Sequence, residues 1–320
     1  MKSLHIIENN SEIGAGTRGA SLGIEALKVA SLNAGSDFFS RFPISKIKTR
    51  NDLLFKKVET ETAKRIQGIV EVYEEMMNKV SSCLSNKEFP LVLAADHASA
   101  GGTIAGVKKQ YPNKRIGVIW IDAHGDLHSP YTSPTGNVHG MPLATALNED
   151  NLQCKVKEVE EDAIRNWNLL KNMGGIAPKV LPQDVVFFGV RDTEYPEDSL
   201  MKRLDIKNFT VAACRDEGIE AAAKEALTLL EECEVIYISF DVDSMDCDEV
   251  SYGTGTPVKD GFFPHEIVTL LNALISSEKI KCLEIVEVNP TLDNKKNKMA
   301  DVTFAILEKI TPQLLKHSLS

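Results

Sequence analysis

The stretch Ile116-Gly-Val-Ile-Trp-Ile-Asp-Ala-His-Gly-Asp126 joins an apolar run directly to three polar residues at alternate positions. Its first six residues, 116–121, contain no turn signal and predict a buried strand. Residues at alternate positions of an extended chain point the same way. If the extended geometry continues past the strand, Asp122, His124 and Asp126 project together. Carboxylates and imidazole bind hard to borderline divalent metals, so the stretch predicts a metal site, with a solvated polar loop as the alternative.

Strands and helices alternate along the rest of the chain. The predicted strands are residues 4–7, 90–95, 116–121, 185–190, 209–213, 235–240 and 280–288. The predicted helices are residues 20–33, 61–82, 102–109, 141–147, 156–171, 218–233, 264–275 and 299–315. This alternation predicts a parallel sheet covered by helices on both faces. Because no Gly/Ser or Pro linker, repeat or low-complexity block interrupts it, we expect one doubly wound α/β domain over residues 1–320.

Bulk composition narrows the classes of partner. The formal net charge of -10 argues against a general nucleic-acid or anionic-membrane partner and leaves a cationic substrate open. The six cysteines form no CxxC pair and lie mostly in or beside apolar stretches, which predicts buried free thiols. The N-terminal stretch lacks the long apolar core of a secretory signal, and no apolar run approaches the roughly 18 residues of a membrane span. We therefore expect a cytoplasmic protein.

The segment Gly14-Ala-Gly-Thr-Arg-Gly19 matches the GxGxxG pattern of dinucleotide-binding proteins. In that motif the glycines follow a strand directly and open a helix. Here the mostly polar residues 8–13 separate the glycines from the predicted strand. The favoured interpretation is a glycine-rich surface loop that leads into the helix at residues 20–33.

Acids and histidines recur at the carboxyl ends of the predicted strands. His97, Asp122, Asp241 and Glu287 each lie at or near such an end. In open α/β sheets this edge is where ligands bind. A random distribution would have to place these residue types at the same edge repeatedly, so the pattern favours a functional site there.

The segment Ser239-Phe-Asp-Val-Asp243 again has two aspartates at alternate positions after an apolar strand. Together with residues 122–126 and His97, it brings the set to four aspartates and two histidines. Six such ligands exceed what one tetrahedral zinc uses and suit two divalent ions in oxygen-rich sites, which favours Mn²⁺. Without metal, four clustered carboxylates would repel one another and some would be protonated. A two-metal site makes a nucleophilic hydroxide available at neutral pH.

These motifs resemble those of the ureohydrolase family of arginases and agmatinases, binuclear manganese enzymes with a three-layer α/β fold. The matching pieces are Asp96-His97, Asp122-Ala-His-Gly-Asp126, Gly136-Asn-Val-His-Gly140, Ser239-Phe-Asp-Val-Asp243, Thr254-Gly-Thr-Pro257 and Glu287-Val-Asn-Pro290. They occur in the family's order and span most of the chain. The resemblance implies a three-layer sandwich around a doubly wound, mostly parallel sheet. The two Mn²⁺ ions that it implies would be bound by His97, Asp122, His124, Asp126, Asp241 and Asp243.

The family reaction is hydrolysis of a guanidinium group to urea and an amine. The resemblance implies that a metal-bridging hydroxide attacks the guanidinium carbon and that Asp126 also holds a proton of that hydroxide. His139 would pass a proton to the departing amine, a task that suits an imidazole titrating near pH 7. Glu287 would pair with the guanidinium in a charge-assisted planar contact. Apart from the resemblance, His139 would more often be a surface residue, and Glu287 could be a solvent-facing acid.

The loop from Ser129 to His139 resembles the arginase loop that binds the α-carboxylate of the substrate. Thr135 and Asn137 match the carboxylate-binding positions, and Ser133 is a further candidate for the same set. The resemblance therefore implies L-arginine as substrate, with L-ornithine and urea as products.

Two residues in this part of the site depart from the arginase pattern. His128 stands where arginases tend to have an Asn that contacts the carboxylate. It could donate the same hydrogen bond, although its bulk would shift the substrate. Glu194 stands where arginases carry an Asp that binds the α-amino group, and its extra methylene moves the carboxylate by about 1.5 Å. Glu197 matches the acid that follows in the family.

Several activities stay open on the sequence alone. An agmatinase, or another hydrolase of guanidino acids or amines, follows if the changes at Glu194 and His128 abolish amino-acid recognition. Zinc-dependent deacetylases of related fold use one metal and fewer ligands, and an inactive homologue would have damaged ligands. The complete set of six ligands argues against both. The resemblance also implies a homo-oligomer, either a trimer or a hexamer.

Overall fold

The computed structural model of the chain describes residues 4–317, and the strands of that part form one eight-stranded sheet. The strands are β1 (Leu4–Asn9), β2 (Ile44–Lys46), β3 (Phe89–Ala94), β4 (Ile116–Ile121), β5 (Val185–Phe188), β6 (Lys207–Phe209), β7 (Val235–Asp241) and β8 (Ile280–Val286). Their order across the sheet is β2-β1-β3-β8-β7-β4-β5-β6, and every neighbouring pair is parallel. The predicted α/β class with a parallel sheet is confirmed.

Helices cover both faces of this sheet. They are α1 (Gly23–Asn33), α2 (Phe38–Arg41), α3 (Ile66–Ser85), α4 (Ser99–Gln110), α5 (Pro142–Leu147), α6 (Glu161–Lys171), α7 (Tyr195–Leu204), α8 (Val211–Glu217), α9 (Ile219–Leu229), α10 (Pro264–Ile275) and α11 (Lys298–His317). One apolar core includes side chains of the sheet, α1, α2 and α8 to α11, and a second includes those of the sheet and α3 to α7. The predicted three-layer, doubly wound sandwich is therefore confirmed.

Strand β4 illustrates why the strands appear in the sequence as continuous apolar runs. All its residues are buried, and Val118 and Trp120 face one core whereas Ile119 and Ile121 face the other. A strand with helices on both faces has no solvent-facing side that would select polar residues. The strand predicted at 116–121 is for this reason confirmed to the residue.

The strand predicted at 209–213 is wrong for most of its length. Strand β6 ends at Phe209, and α8 begins at Val211. The Thr210 hydroxyl oxygen accepts a hydrogen bond from the backbone N–H of Ala213 at 3.2 Å and caps the helix. A capping Thr favours a helix start over the strand preference of a short apolar run.

The helix predicted at 156–171 begins five residues late, at Glu161. Glu160 is extended, and its carboxylate accepts hydrogen bonds from the Glu61 backbone N–H and the Thr62 hydroxyl. These bonds hold the preceding segment against the loop before α3, so it is not helical. The elements β2, α2 and α7 had no prediction, and β2 is a short edge strand of partly or fully exposed residues that shows no apolar pattern.

The cysteines agree with the prediction from composition. All six cysteines are buried free thiols. Among the helices of residues 4–317, none combines the length and apolar character required to cross a bilayer. The assignment of residues 1–320 to a single domain stays a prediction.

Candidate metal centre and active site

Four neighbouring strands bring polar residues to one edge of the sheet. Strands β3, β8, β7 and β4 lie side by side. Their carboxyl ends carry or closely precede His97, Glu287, Asp241 and Asp122, and none of these four residues is more than 2% exposed. The strands are distant in sequence, and only the sheet order makes their ends adjacent. The structure thus brings the predicted residues together at the edge where parallel sheets bind ligands.

The chain reaches these positions through turns and not through continued extension. After β4 the backbone N–H of His124 donates to Asp122 Oδ1 at 2.7 Å, and after β7 the backbone N–H of Asp243 donates to Asp241 Oδ1 at 2.8 Å. Asp126 then adopts a left-handed conformation with φ of 51°. The expectation of extended geometry beyond the strand is therefore wrong, because aspartate side chains readily bond the backbone two residues on and turn the chain. The side chains converge nevertheless.

The first group of donors surrounds the His97 ring. His97 Nδ1 lies 3.0 Å from Asp122 Oδ2, 3.1 Å from Asp126 Oδ2 and 3.0 Å from Asp241 Oδ2. His97 Nδ1 and Asp126 Oδ2 are nevertheless buried without a partner in hydrogen-bond geometry. One imidazole nitrogen carries at most one proton and cannot donate to three carboxylates, whereas a divalent cation among them would satisfy all four groups.

The second group of donors lies on the other side of Asp122. His124 Nδ1 is 3.4 Å from Asp122 Oδ1 and 3.1 Å from Asp243 Oδ2. The two oxygens of Asp122 therefore face different groups, and each group brings its donor atoms close enough together to hold a cation. A carboxylate shared in this way suits a pair of neighbouring divalent ions.

The electrostatics of the cluster also favour a bound cation. Burial, and then the charge of Asp243, raise the pKa of Asp241 well above its ordinary range. Burial and the charge of Asp122 raise the pKa of Asp126 to about 6. Burial lowers the pKa of His97, but its contacts with the three carboxylates outweigh this effect and raise the pKa well above its ordinary value. The raised pKa values of these aspartates and of His97 all reflect an excess of negative charge in the buried cluster. Bound metal ions would neutralise this charge directly.

Two side chains that the sequence analysis did not assign to the site orient its donors. The Trp120 indole N–H donates to Asp122 Oδ2 at 2.9 Å, and the Trp120 ring stacks on the His97 ring with centroids 4.2 Å apart. Ser239 Oγ lies 2.7 Å from His97 Nε2. Trp120 and Ser239 each stand two residues before an aspartate of the cluster. The alternation of strand side chains was thus a signal that could have placed both on the same face as those aspartates.

Asp96 holds the glycine-rich segment against the site. Its Oδ2 accepts hydrogen bonds from the backbone N–H groups of Gly14 at 2.8 Å and Ala15 at 3.1 Å. Both residues are buried, so the prediction of a surface loop is wrong for this part and holds for Gly16 and Arg18, which are exposed. The buried Asp96 carboxylate thus binds the backbone of a segment for which the sequence predicted only a surface loop.

His139 and Glu287 are neighbours beside the donor groups. His139 Nδ1 lies 3.4 Å from Glu287 Oε1, and the same oxygen accepts a hydrogen bond from the backbone N–H of His97 at 2.8 Å. Burial lowers the pKa of the His139 imidazole, but the contact with Glu287 outweighs this effect and raises it. The arrangement places an imidazole that can carry a proton next to a carboxylate that can bind a cationic group.

A cavity of about 220 Å³ opens over the donor groups, and every predicted site residue except the fully buried Asp122 lines it. One wall is the loop that carries Ser133, Thr135 and Asn137. The Ser133 hydroxyl accepts a hydrogen bond from the Gly136 N–H at 3.0 Å, and Thr135 Oγ1 accepts one from the Asn137 N–H at 3.2 Å. These bonds shape a loop whose polar groups face the cavity.

Another wall of the cavity consists of Glu194, Glu197 and His128. His128 Nε2 lies 2.8 Å from Glu194 Oε2 and 3.5 Å from Glu197 Oε2. Glu197 is buried, which raises its pKa, and its two oxygens accept hydrogen bonds from the backbone N–H groups of Leu127 and Glu194, each at 3.2 Å. The Glu194 side chain is 53% exposed at the rim. The wall is thus rich in acceptors for a cationic group.

Comparison with known proteins agrees with this geometry. The model of the arginase family matches residues 3–311. The chain is 33% identical to an arginase of Bacillus subtilis over 316 residues and 34% identical to an arginase of Brevibacillus brevis over 314 residues, covering 97% of both chains in each case. It is also similar to the native structure of arginase from Bacillus caldovelox, with a TM-score of 0.80, 31% identity and coverage of 97% of this chain and 98% of that chain.

The family match, the level of identity and the shared fold extend over nearly the whole chain, and the motifs on which the resemblance depends lie at one edge of the sheet. The chain therefore belongs to the arginase family and is an arginase-type ureohydrolase.

Proposed function

We propose that this chain is a manganese-dependent arginase that hydrolyses L-arginine to L-ornithine and urea. The observation that carries the proposal is the shared carboxylate of Asp122, whose two oxygens face the His97 group and the His124 group at the base of one cavity. The positive charges of two divalent cations and one guanidinium group would balance the negative charges of the carboxylates around this cavity. Membership of the arginase family supports the same reaction.

The proposed metal ligands follow from the two donor groups. They are His97, Asp122, His124, Asp126, Asp241 and Asp243. Four carboxylates and two imidazoles form an oxygen-rich set, which favours Mn²⁺ over the sulfur-rich or tetrahedral environments typical of structural zinc. When bound, the two ions would supply Lewis acidity and an activated water at neutral pH.

The residues around the metal ligands would handle the guanidinium group and the protons. Glu287 is held by the His97 backbone N–H and would bind the cationic guanidinium, which orients its carbon toward the metal centre. Asp126, a proposed metal ligand that lines the cavity, would also hold a proton of the attacking water. His139 would give a proton to the amine nitrogen as its bond to the guanidinium carbon breaks. The contact with Glu287 raises the pKa of His139, which favours the protonated imidazole and supports this role.

The outer part of the cavity would bind the amino-acid end of the substrate. Thr135 and Asn137, with Ser133 beside them, offer neutral donors to an α-carboxylate. Glu194 and Glu197 offer negative charge to an α-amino group. A substrate with both groups can use both walls, and this supports L-arginine over guanidines that lack one of them.

An agmatinase-like activity is the second candidate. The observation that favours it is the acidic character of the wall, where Asp192 joins Glu194 and Glu197 in lining the cavity. An amine that lacks a carboxylate would meet these acids without using the neutral donors of the other wall.

The test is urea release by the Mn²⁺-loaded protein with L-arginine, agmatine and 4-guanidinobutyrate in parallel. We expect turnover of L-arginine far above that of the others. A preference for agmatine would establish the second candidate, and no urea from any substrate with two bound metals would contradict both. Asp243→Asn should abolish activity through loss of metal, whereas the matched change Asp248→Asn, at an exposed side chain outside the donor groups, should leave turnover unchanged.

We also propose that the chain forms a homo-oligomer, a trimer or a hexamer, as the family resemblance implies. Exposed apolar side chains such as Leu32 and Phe55, which are 76% and 93% exposed, are available for burial between subunits. Light scattering coupled to size exclusion would measure the mass of the particle, and a monomer would contradict this part of the proposal.

A further inference from the structure

Both ring nitrogens of His128 already have protein partners. Nε2 lies 2.8 Å from Glu194 Oε2, and Nδ1 lies 3.2 Å from the Thr132 hydroxyl. The His128 backbone N–H donates to Gly140 O at 3.0 Å, which fixes the position from which the ring projects. Each ring nitrogen is therefore already next to an oxygen atom of the protein.

Glu194 occupies the other end of this contact. It is the residue immediately before α7, and its backbone N–H is held by the buried carboxylate of Glu197 at 3.2 Å. Its own side chain is 53% exposed, so packing alone does not fix the carboxylate. His128 Nε2 lies 2.8 Å from one of its oxygens. A charge-assisted contact of this kind restricts a flexible glutamate to one orientation.

We infer that His128 is a positioning residue for Glu194, and that the two residues act as one coupled unit that presents a carboxylate to the amino group of the substrate. This inference rests on the proposed function. In this unit, the imidazole holds the Glu194 carboxylate at the cavity rim. It thereby compensates for the side chain of Glu194, which is one methylene longer than that of an Asp. Residue 128 then takes no direct part in binding the α-carboxylate, which is left to Thr135 and Asn137.

The surroundings of His128 disfavour direct carboxylate binding. Glu197 Oε2 is 3.5 Å from Nε2, so this nitrogen faces two carboxylates. A third carboxylate, from the substrate, would be repelled by both and would have to displace Glu194 from its contact with Nε2. An amino group at the same place would be attracted by both.

The two single substitutions should each break the unit. His128→Asn shortens the donor and leaves the half-exposed Glu194 carboxylate free to rotate. Glu194→Asp withdraws the carboxylate by about 1.5 Å, which lengthens the contact beyond hydrogen-bonding distance. In the double variant the contact is already lost through either change, so the second substitution has nothing further to remove. We therefore expect the double variant to lose no more than each single variant.

The experiment is a double-mutant cycle on the Mn²⁺-loaded protein with two substrates, L-arginine and 5-guanidinopentanoate, which lacks only the α-amino group. Each single variant should raise KM for L-arginine about tenfold, because it weakens one hydrogen bond between the substrate and a charged group. The value of kcat should change less than about twofold. The double variant should stay within about threefold of the single variants, instead of showing the roughly hundredfold rise in KM that additive effects would give. KM for 5-guanidinopentanoate should stay constant across all four proteins.

Manganese content and thermal stability of each variant would exclude a general structural effect. Aspartate is a good residue before a helix, so Glu194→Asp should not destabilise α7. His265→Asn combined with Glu158→Asp, two exposed positions away from the cavity, is the matched control and should leave all kinetic constants unchanged.

The outcomes separate this inference from the proposed function. If the wild type hydrolyses L-arginine but the two substitutions are additive, the coupled unit is refuted and the arginase activity stands. If His128→Asn raises KM equally for both substrates, the imidazole binds the carboxylate directly and the inference is also refuted. If the wild type does not hydrolyse L-arginine, the proposed function falls and the inference falls with it.

Discussion

Replacing Ser239 with alanine tests whether the hydrogen bond behind His97 controls metal binding. Ser239 is fully buried on β7, and its Oγ lies 2.7 Å from His97 Nε2. His97 Nδ1 faces the three carboxylates of the first donor group, so Nε2 must carry the proton when Nδ1 binds a cation. The serine oxygen then accepts a hydrogen bond from this N–H group and fixes both the tautomer and the orientation of the ring.

The magnitude follows from what the substitution leaves behind. Alanine offers no acceptor, and a buried N–H without a partner costs about 1–3 kcal/mol. This cost applies to the metal-bound form, in which the tautomer is fixed, and it therefore appears as lost affinity. Loss of such an orienting contact typically weakens metal binding about 10- to 100-fold, which agrees with the estimate from the hydrogen bond.

The assay is calorimetric titration of the metal-free protein with Mn²⁺, together with thermal unfolding with and without metal. Ser31→Ala is the matched control, because Ser31 is also buried and bonds a backbone carbonyl, Ser36 O at 3.2 Å, but lies on α1 away from the site. It should lower stability slightly and leave Mn²⁺ affinity unchanged. If Ser239→Ala binds Mn²⁺ within about twofold of the wild type, the orienting role of this bond is refuted.

Three further predictions concern stability and the substrate loop. Burial lowers the pKa of Lys179 from 10.5 to about 8, so between pH 8 and 10.5 the unfolded chain binds more protons than the folded chain. The free energy of unfolding of the wild type should therefore rise by about 3 kcal/mol across this window, relative to that of Lys179→Met, as measured by unfolding titrations at several pH values. Arg115→Ala should lower the free energy of unfolding in urea more than the change at an exposed pair does, because it removes the contacts of 2.7 to 2.9 Å from the fully buried Asp184 carboxylate. Gly136→Ala should raise KM for L-arginine about tenfold or more with Mn²⁺ content unchanged, because φ is +72° and the added Cβ would lie 1.9 Å from Glu61 O.

Each of these predictions has its own control. A stability difference between the wild type and Lys179→Met that does not change with pH would contradict the first. Arg165→Ala, at a pair with both side chains exposed, should cost less than about 1 kcal/mol, and an equal cost would contradict the second. Gly35→Ala has a similar φ of +68° but no atom within 4 Å of the added Cβ, so a comparable rise in KM would contradict the third.

Strand positions and the residue types at their ends could be predicted from the sequence because both depend on local patterns. A strand buried on two faces is apolar throughout, as 116–121 shows, and polar residues directly after it stand out. The prediction failed where a single side-chain contact decided the local structure. Thr210 starts a helix in a run that favours a strand, and Glu160 holds residues before α6 out of the helix by binding the loop before α3.

The sequence by itself determined the parallel α/β sandwich, the edge at which the candidate metal ligands lie and the membership of the arginase family, since these depend on alternation, strand ends and motifs in order. Only the tertiary structure decided how those residues act on one another. The sheet order makes the ends of β3, β8, β7 and β4 neighbours, and turns at Asp122 and Asp241 aim the donors into two groups. The contacts of His97 with Ser239 and of His128 with Glu194 join residues that are 142 and 66 positions apart. Such contacts depend on how the whole chain packs, and no local pattern encodes a distance between residues so far apart.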